Sequence, residues 1–375
     1  MIWRRGRRQR VVGNFRSESP RVSLYRCVRA QSRLLILPAL VVVTTSLLPA
    51  QDTTLDQAAR RTVIERVLKE IAAGYIYSEK APDIAREIDK REESGAYYTA
   101  SDEEFARRLT NDLQSVGHDL HFEIDYSFDV LPQEPVASAA PTREERFDAG
   151  KDNNYGFRKI EILKGNVGYI AFDTFHRAEA IGETLAAAMD FVSNTDALII
   201  DLRDNDGGRA DAVALLVSYF AEGNPQQLVG IYWKPLSKTV ESFTSPSIKG
   251  RKYLDRNVYI LTSKDTVSAA EAFCYDMKNL GLATLVGEVT AGAANPGSMK
   301  RIDDHFSFFL PTGRAVDPVT GKNWEGTGVN PDVAVSAADS LGKAQILALK
   351  AIQEKADANK RQRLEEIVRK LEGRN

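Results

Sequence analysis

Between Val167 and Val286 the sequence alternates short apolar runs with longer amphipathic stretches, and few folds accept that order. Residues 167–172 alternate at the period of a strand, 197–202 are almost continuously apolar, and 258–261 and 284–286 repeat that character. Between them, residues 178–192, 210–220 and 268–280 carry apolar positions at helical spacing. A strand that hands over to a helix of this length does not return by a hairpin, so the strands run mostly parallel in a sheet covered on both faces. The expected fold class is therefore α/β, with sites beyond the carboxyl ends of the strands. Ahead of this block, Val63, Ile64, Val67, Leu68 and Ile71 are helically spaced, and residues 84–91 and 102–116 continue the pattern, so a small helical bundle is expected there. Residues 131–152 turn to Pro, Ala, Ser and charge without periodicity, which suits a surface connection or a lid. The amphipathic tail, residues 341–371, predicts one or two packing helices.

The first fifty residues differ in kind. They hold ten Arg, one acid (Glu18) and no Lys around an apolar run at residues 34–48, too short for a bilayer span and suited to a signal-peptide core. Cleavage after Ala50 is expected, with export to a periplasm or the exterior; an uncleaved anchor and an organelle transit peptide are the competing readings. Loss of those ten bases and one acid takes the formal charge from −2 to −11. So acidic a chain is a poor partner for nucleic acid, and membrane contact is expected only through a retained N-terminal segment. Cys27 leaves with the leader, so Cys274 remains alone and no internal disulfide forms. The domain reading is a signal peptide at 1–50, a helical domain at 51–116, a catalytic domain at 117–338 and a helical tail at 339–375.

Ser268 lies where the strand at 258–261 gives way to a helix, in Thr266-Val267-Ser268-Ala269-Ala270-Glu271. A hydroxyl there is held by the backbone beside free amides at the positive end of the helix dipole, which suits a nucleophile. Ser-x-x-Glu is equally the pattern of a capping box. Upstream, Asp206-Gly207-Gly208 forms a glycine turn; downstream, Glu325 stands before Gly326-Thr327-Gly328-Val329. Amides of Ala269 and of Gly207 or Gly208 are placed to meet an oxyanion, since glycine allows close backbone approach. The plain alternative for the paired glycines is a strand-to-helix turn. His, Cys and acids show no metal-ligand spacing, and no phosphate-cradling Gly loop is present, so no cofactor or metal is expected.

These motifs, in this order, with Gly74-Tyr75-Ile76-Tyr77, Asp119-Leu120-His121, Gly287-Glu288-Val289-Thr290-Ala291-Gly292 and Gly328-Val329-Asn330-Pro331-Asp332, resemble the S41 serine peptidases, the processing-protease and tricorn core group. Within it the chain looks most like the repeats of the interphotoreceptor retinoid-binding protein and their bacterial relatives. The resemblance implies a ClpP/crotonase-like core of ββα units and a peptidase acting on peptides or unfolded protein through Ser268. Processing proteases carry a lysine base about two dozen residues beyond the serine, where this chain has Ala293. Tricorn-like members use a histidine and a glutamate, which implies His121 as base and Glu325 as its orienting acid, although Leu120 stands where they have a further serine. His118 and Lys300 remain alternative bases; His176 and His305 fall outside any motif. Glu288, Thr290 and Asn295-Pro296-Gly297 lie near the presumed cleft. The interval from Phe122 to Lys159 is too short for a PDZ domain. The retinoid-binding relatives imply a second reading, a non-catalytic module for a hydrophobic ligand such as a retinoid or fatty acid.

Overall fold

The structure is a computed structural model that describes residues 55–133 and 150–373. The expected signal peptide and most of the 131–152 connection lie outside the described residues. Three helices open the described chain, α1 (Gln57–Gly74), α2 (Ala81–Glu93) and α3 (Asp102–Gly117), followed by β1 (Glu123–Tyr126). Asp56 and Ser101 cap α1 and α3 by accepting from Ala59 N and Glu104 N, and Pro82 sits in the first turn of α2. Next come β2 (Phe157–Leu163), β3 (Val167–Phe172), α4 (Ala178–Val192), β4 (Ala197–Asp201) and α5 (Ala210–Val217). The pair β5 (Gln227–Trp233) and β6 (Lys238–Phe243) precedes β7 (Asn257–Thr262), α6 (Ala269–Asn279) and β8 (Thr284–Gly287). Strands β9 (Gly297–Arg301), β10 (Phe306–Pro311), β11 (Gly313–Val316) and β12 (Val333–Ala334) lead to α7 (Ala337–Lys355) and α8 (Ala358–Glu372).

The central sheet runs β12-β8-β7-β4-β3-β2, and every neighbouring pair is parallel except β2 with β3. Successive side chains of a strand point to opposite faces, so both faces here are apolar. Leu198, Ile200 and Ile260 pack with Leu185 and Met189 of α4, Val213 and Leu216 of α5, and Phe273 and Met277 of α6. Their neighbours Ile199, Tyr259 and Leu261 pack on the other face with Leu349 and Ile352 of α7 and Leu364 and Val368 of α8. The α/β class and the mostly parallel sheet are thus as the sequence pattern implies. Among the described residues no separate module stands between β1 and β2, and no helix is long and apolar enough to cross a membrane.

The N-terminal helices do not close a core by themselves. Val67 and Ile71 of α1, Ile88 of α2, and Phe105, Leu109 and Leu113 of α3 share one apolar cluster with Phe306, Phe308 and Leu310 of β10. That strand is the middle of a small antiparallel sheet ordered β1-β10-β9. A third sheet, β11-β5-β6, is also antiparallel.

Candidate active site

Ser268 sits between β7 and α6, and the loop before it is locked from below. Thr266 Oγ1 donates to Leu202 O at 2.8 Å and accepts from Ser263 N, while Val267 N donates to Asn205 O at 3.1 Å. Ser268 itself has φ 58° and ψ −115°, a conformation that non-glycine residues rarely adopt and that costs about 1–3 kcal/mol. Glu271, fully buried, holds it there. Its Oε2 accepts from Ser268 N at 2.8 Å and from Ala293 N at 2.9 Å; its Oε1 accepts from Thr290 Oγ1 at 2.6 Å and Gly292 N at 2.7 Å. Burial pushes the Glu271 carboxyl upward and these four donors pull it back. The reach-back arm of the capping box is present, and it also staples the 290–293 loop to the strained serine.

Because β4 and β7 are parallel neighbours, the loops leaving their carboxyl ends meet. A Cβ on Gly207 (φ +96°) would lie 2.8 Å from Ser268 Cβ, and one on Gly208 (φ +126°) would lie 2.3 Å from Phe175 O, so glycine is needed for both space and dihedral. Buried Asn205 shapes the turn, donating to Phe172 O and accepting from Gly207 N at 3.0 Å. That bond engages the Gly207 amide within the turn; Gly208 and Ala269 line the cavity beside Ser268.

His121 arrives from the other end of the fold. After α3, His118 takes a left-handed conformation at the helix end and is exposed. The next turn is pinned by His121 N donating to Asp119 Oδ1 at 3.0 Å. His121 Nε2 then lies 3.3 Å from Ser268 Oγ, with the ring stacked on Phe309 at 6.0 Å. Asp119 is fully buried; its Oδ2 accepts from Tyr75 Oη at 3.1 Å and Asn295 Nδ2 at 2.9 Å, and its Oδ1 stands 3.7 Å from His121 Nδ1. Glu325 Oε2 accepts from Ala294 N at 2.6 Å, and its buried Oε1 has no protein partner. Burial first, and then the neighbouring Asp119, push the Glu325 carboxyl up to about 8. Donor atoms of Asp119, His121 and Glu325 all fall within 4.8 Å of one another.

Ser268, His121 and Glu325 therefore meet, and the sequence reading missed Asp119 as their companion. Its signal was the Asp-x-His spacing, which carries Asp119 beneath the imidazole. The other candidates lie elsewhere. Lys300 pairs in β9 opposite Phe308, His305 Nδ1 lies 2.9 Å from Ser127 O, and the ring of His176 packs against Gly150. Glu288 holds the start of α7 by accepting from Ala337 N at 3.1 Å. Thr290 binds Glu271, Asn295 binds Asp119, and Pro296 and Gly297 join the cavity wall. Ala293, where processing proteases have lysine, is a buried part of that wall. The cavity, about 330 Å³, is walled largely by Val229, Ile231, Trp233, Ala272, Ala315 and Trp324, with Arg209 and Asp211 on its lining near Gly208. Trp324 is fixed by its Nε1 donating to Ala293 O at 3.0 Å.

The chain is similar to known proteins over both halves. The profile of peptidase family S41 matches residues 166–335, and that of the N-terminal domain of peptidase S41 in eukaryotic IRBP matches residues 47–149. A "Probable CtpA-like serine protease" of Staphylococcus epidermidis is 26% identical over 175 residues, 46% of this chain and 34% of that protein. A "Carboxyl-terminal-processing protease" of Synechocystis sp. is 31% identical over 182 residues, 48% of this chain and 38% of that protein. The matches thus span little more than a third of those relatives' length. The crystal structure of a "putative peptidase" from Parabacteroides merdae superposes with a TM-score of 0.51 and 21% identity, covering 74% of this chain and 90% of that one, which is likeness of fold. With two profiles of one family matching successive parts of the sequence from residue 47 to residue 335, the chain belongs to peptidase family S41.

Proposed function

We propose that the chain is a serine-type peptidase in which Ser268 Oγ attacks a peptide carbonyl while His121 Nε2 takes its proton. The observation that carries this reading is the 3.3 Å approach of those two atoms from residues 147 apart in sequence, at a serine held in a strained turn. His121 then returns the proton to the leaving amine, and the acyl-enzyme is hydrolysed by water through the reverse sequence. The amides of Ala269 and Gly208 are the proposed oxyanion donors; removal of one such donor typically costs about a hundred- to a thousand-fold in rate.

Two carboxyl groups stand near the imidazole, Asp119 on its Nδ1 side away from the serine. Burial and the neighbouring Asp119 push the Glu325 carboxyl upward, and Asp119 Oδ1, 3.7 Å from His121 Nδ1, is the proposed partner that orients the imidazole and stabilises the imidazolium, with Glu325 beside it. The substrate class is a peptide or an unfolded protein segment, whose side chain enters the apolar cavity walled by Val229, Ile231 and Trp324. Export through the basic N-terminal segment is part of the same proposal; amino-terminal sequencing of mature protein should begin near Gln51.

The test is labelling with a fluorophosphonate probe and mapping of the modified residue by mass spectrometry. Labelling of Ser268 that disappears in Ser268→Ala is expected. Absence of labelling in folded wild-type protein, together with saturable uptake of a retinoid or fatty acid, would overturn the peptidase reading in favour of a ligand-binding module.

A further inference from the structure

We propose that Asp119, His121 and Glu325 also form a binding site for one divalent transition-metal cation of the zinc type, and that filling it silences Ser268. The binding stands on geometry alone; the silencing rests on the peptidase reading.

One imidazole nitrogen and two carboxylate oxygens form a donor set that zinc takes, whereas calcium and magnesium look for six or more oxygens. The three donor atoms lie within 4.8 Å of one another, and His121 Nδ1 stands 3.7 Å from Asp119 Oδ1. Ligand atoms around a tetrahedral zinc, at metal distances of about 2.0–2.2 Å, are separated by about 3.4 Å, so the His121 and Asp119 arms need almost no movement and Glu325 a small swing. Two of the three donors are waiting: His121 Nδ1 and Glu325 Oε1 are buried with no protein partner. A buried polar atom left without a partner is costly, and a shared cation would recover that cost. The carboxylates are also braced from behind, Asp119 by Tyr75 and Asn295 and Glu325 by the Ala294 amide, as metal-binding carboxylates generally are.

The consequence follows from imidazole chemistry. A neutral ring carries one N–H, and a metal on the Nδ1 lone pair forces that hydrogen onto Nε2. Nε2 then offers Ser268 Oγ a donor where the reaction needs an acceptor. No bond is made or broken apart from the reversible coordination, so removal of the metal restores the base.

The experiment is calorimetric titration of Zn²⁺ alone into the metal-free Ser268→Ala protein, which keeps all three donors and lacks the nucleophile. One saturable site is expected, weakened at least about tenfold in Glu325→Gln and abolished in His121→Ala, with circular dichroism confirming that both variants remain folded. Mg²⁺ should give no such site. Should His121→Ala not fold, Glu325→Gln alone decides the matter. No saturable binding, or binding unchanged in these variants, overturns the proposal, because the metal would then sit at an exposed residue such as His118. In wild-type protein, Zn²⁺ should suppress fluorophosphonate labelling and EDTA should restore it. Binding without suppression refutes the silencing, and loss of labelling in zinc-free protein refutes the peptidase reading while leaving the calorimetric result standing.

Discussion

Replacing Glu271 with Gln should damage stability and the serine turn together. The carboxylate accepts four hydrogen bonds inside the protein, two at each oxygen, and Glu271 itself is fully buried. Gln keeps one oxygen but turns an NH2 group toward the other pair of donors, leaving one or two groups unsatisfied. If the amide faces Ser268 N and Ala293 N, two backbone donors are stranded; if it faces Thr290 Oγ1 and Gly292 N, the hydroxyl can rotate and the loss is smaller. At about 1–3 kcal/mol for each stranded donor the expected loss is about 1–6 kcal/mol, out of a total of about 5–15 kcal/mol for a typical native protein. Thermal denaturation should therefore show Tm lower by at least about 2 °C. In the first orientation the Ser268 amide loses the acceptor that offsets its backbone strain, and in the second the 290–293 loop beside it loses one anchor, so the turn should relax and fluorophosphonate labelling should slow even in the fraction that stays folded. A Glu271→Gln protein with unchanged Tm and unchanged labelling rate would refute the claim that this buried acid holds the nucleophile's backbone.

Gly208→Ala should cost more than an ordinary glycine-to-alanine change, because the new methyl would meet the Phe175 carbonyl at 2.3 Å at a φ of +126°; loss of labelling with the far-ultraviolet circular dichroism spectrum retained is expected, and normal labelling would exclude this loop from the site. Asp276 gives a pH dependence. Burial, aided by Asp317 and opposed by the Val229 N–H bond, raises its carboxyl to about 7, above the unfolded value of about 3.9. The folded state then binds the extra proton, so this group's contribution to stability falls as pH rises from about 4 to about 7, by at most about 1.4 kcal/mol per unit, and is level above that. Asp276→Asn keeps the acceptor for Val229 N and removes the slope, so its Tm should gain on wild type between about pH 4 and about pH 7; parallel curves would show that Asp276 does not titrate in this range.

The elements legible in the sequence were those whose burial is complete. Residues 167–172 and 178–192 form a strand and a helix at the expected bounds, and β4 and β7 lie within a residue of expectation, because a doubly covered sheet demands near-continuous apolar runs. Strands β6 and β9 escaped notice for the opposite reason. Lys238, Glu241, Ser298 and Met299 face solvent, and short edge strands with one wet face carry little signal. Ser268, His121, Glu325 and the paired glycines were recognisable from motif order. Asp119 was passed over although it stands two residues from His121, because its importance comes from burial beneath the ring and bonds to Tyr75 and Asn295, and neither is a local property.

What the chain order determines by itself is the alternation of strands and helices, and hence a parallel sheet with the glycine turn and Ser268 at the same edge, since adjacent parallel strands end together. What only the tertiary structure decides is which distant groups reach that edge. The apolar face of α1, α2 and α3 must be buried, β10 buries it, and that packing sets the turn after α3 so that an imidazole stands 3.3 Å from a hydroxyl. Contacts between residues far apart in sequence are fixed by the burial of whole faces, and no window of neighbouring residues contains that information.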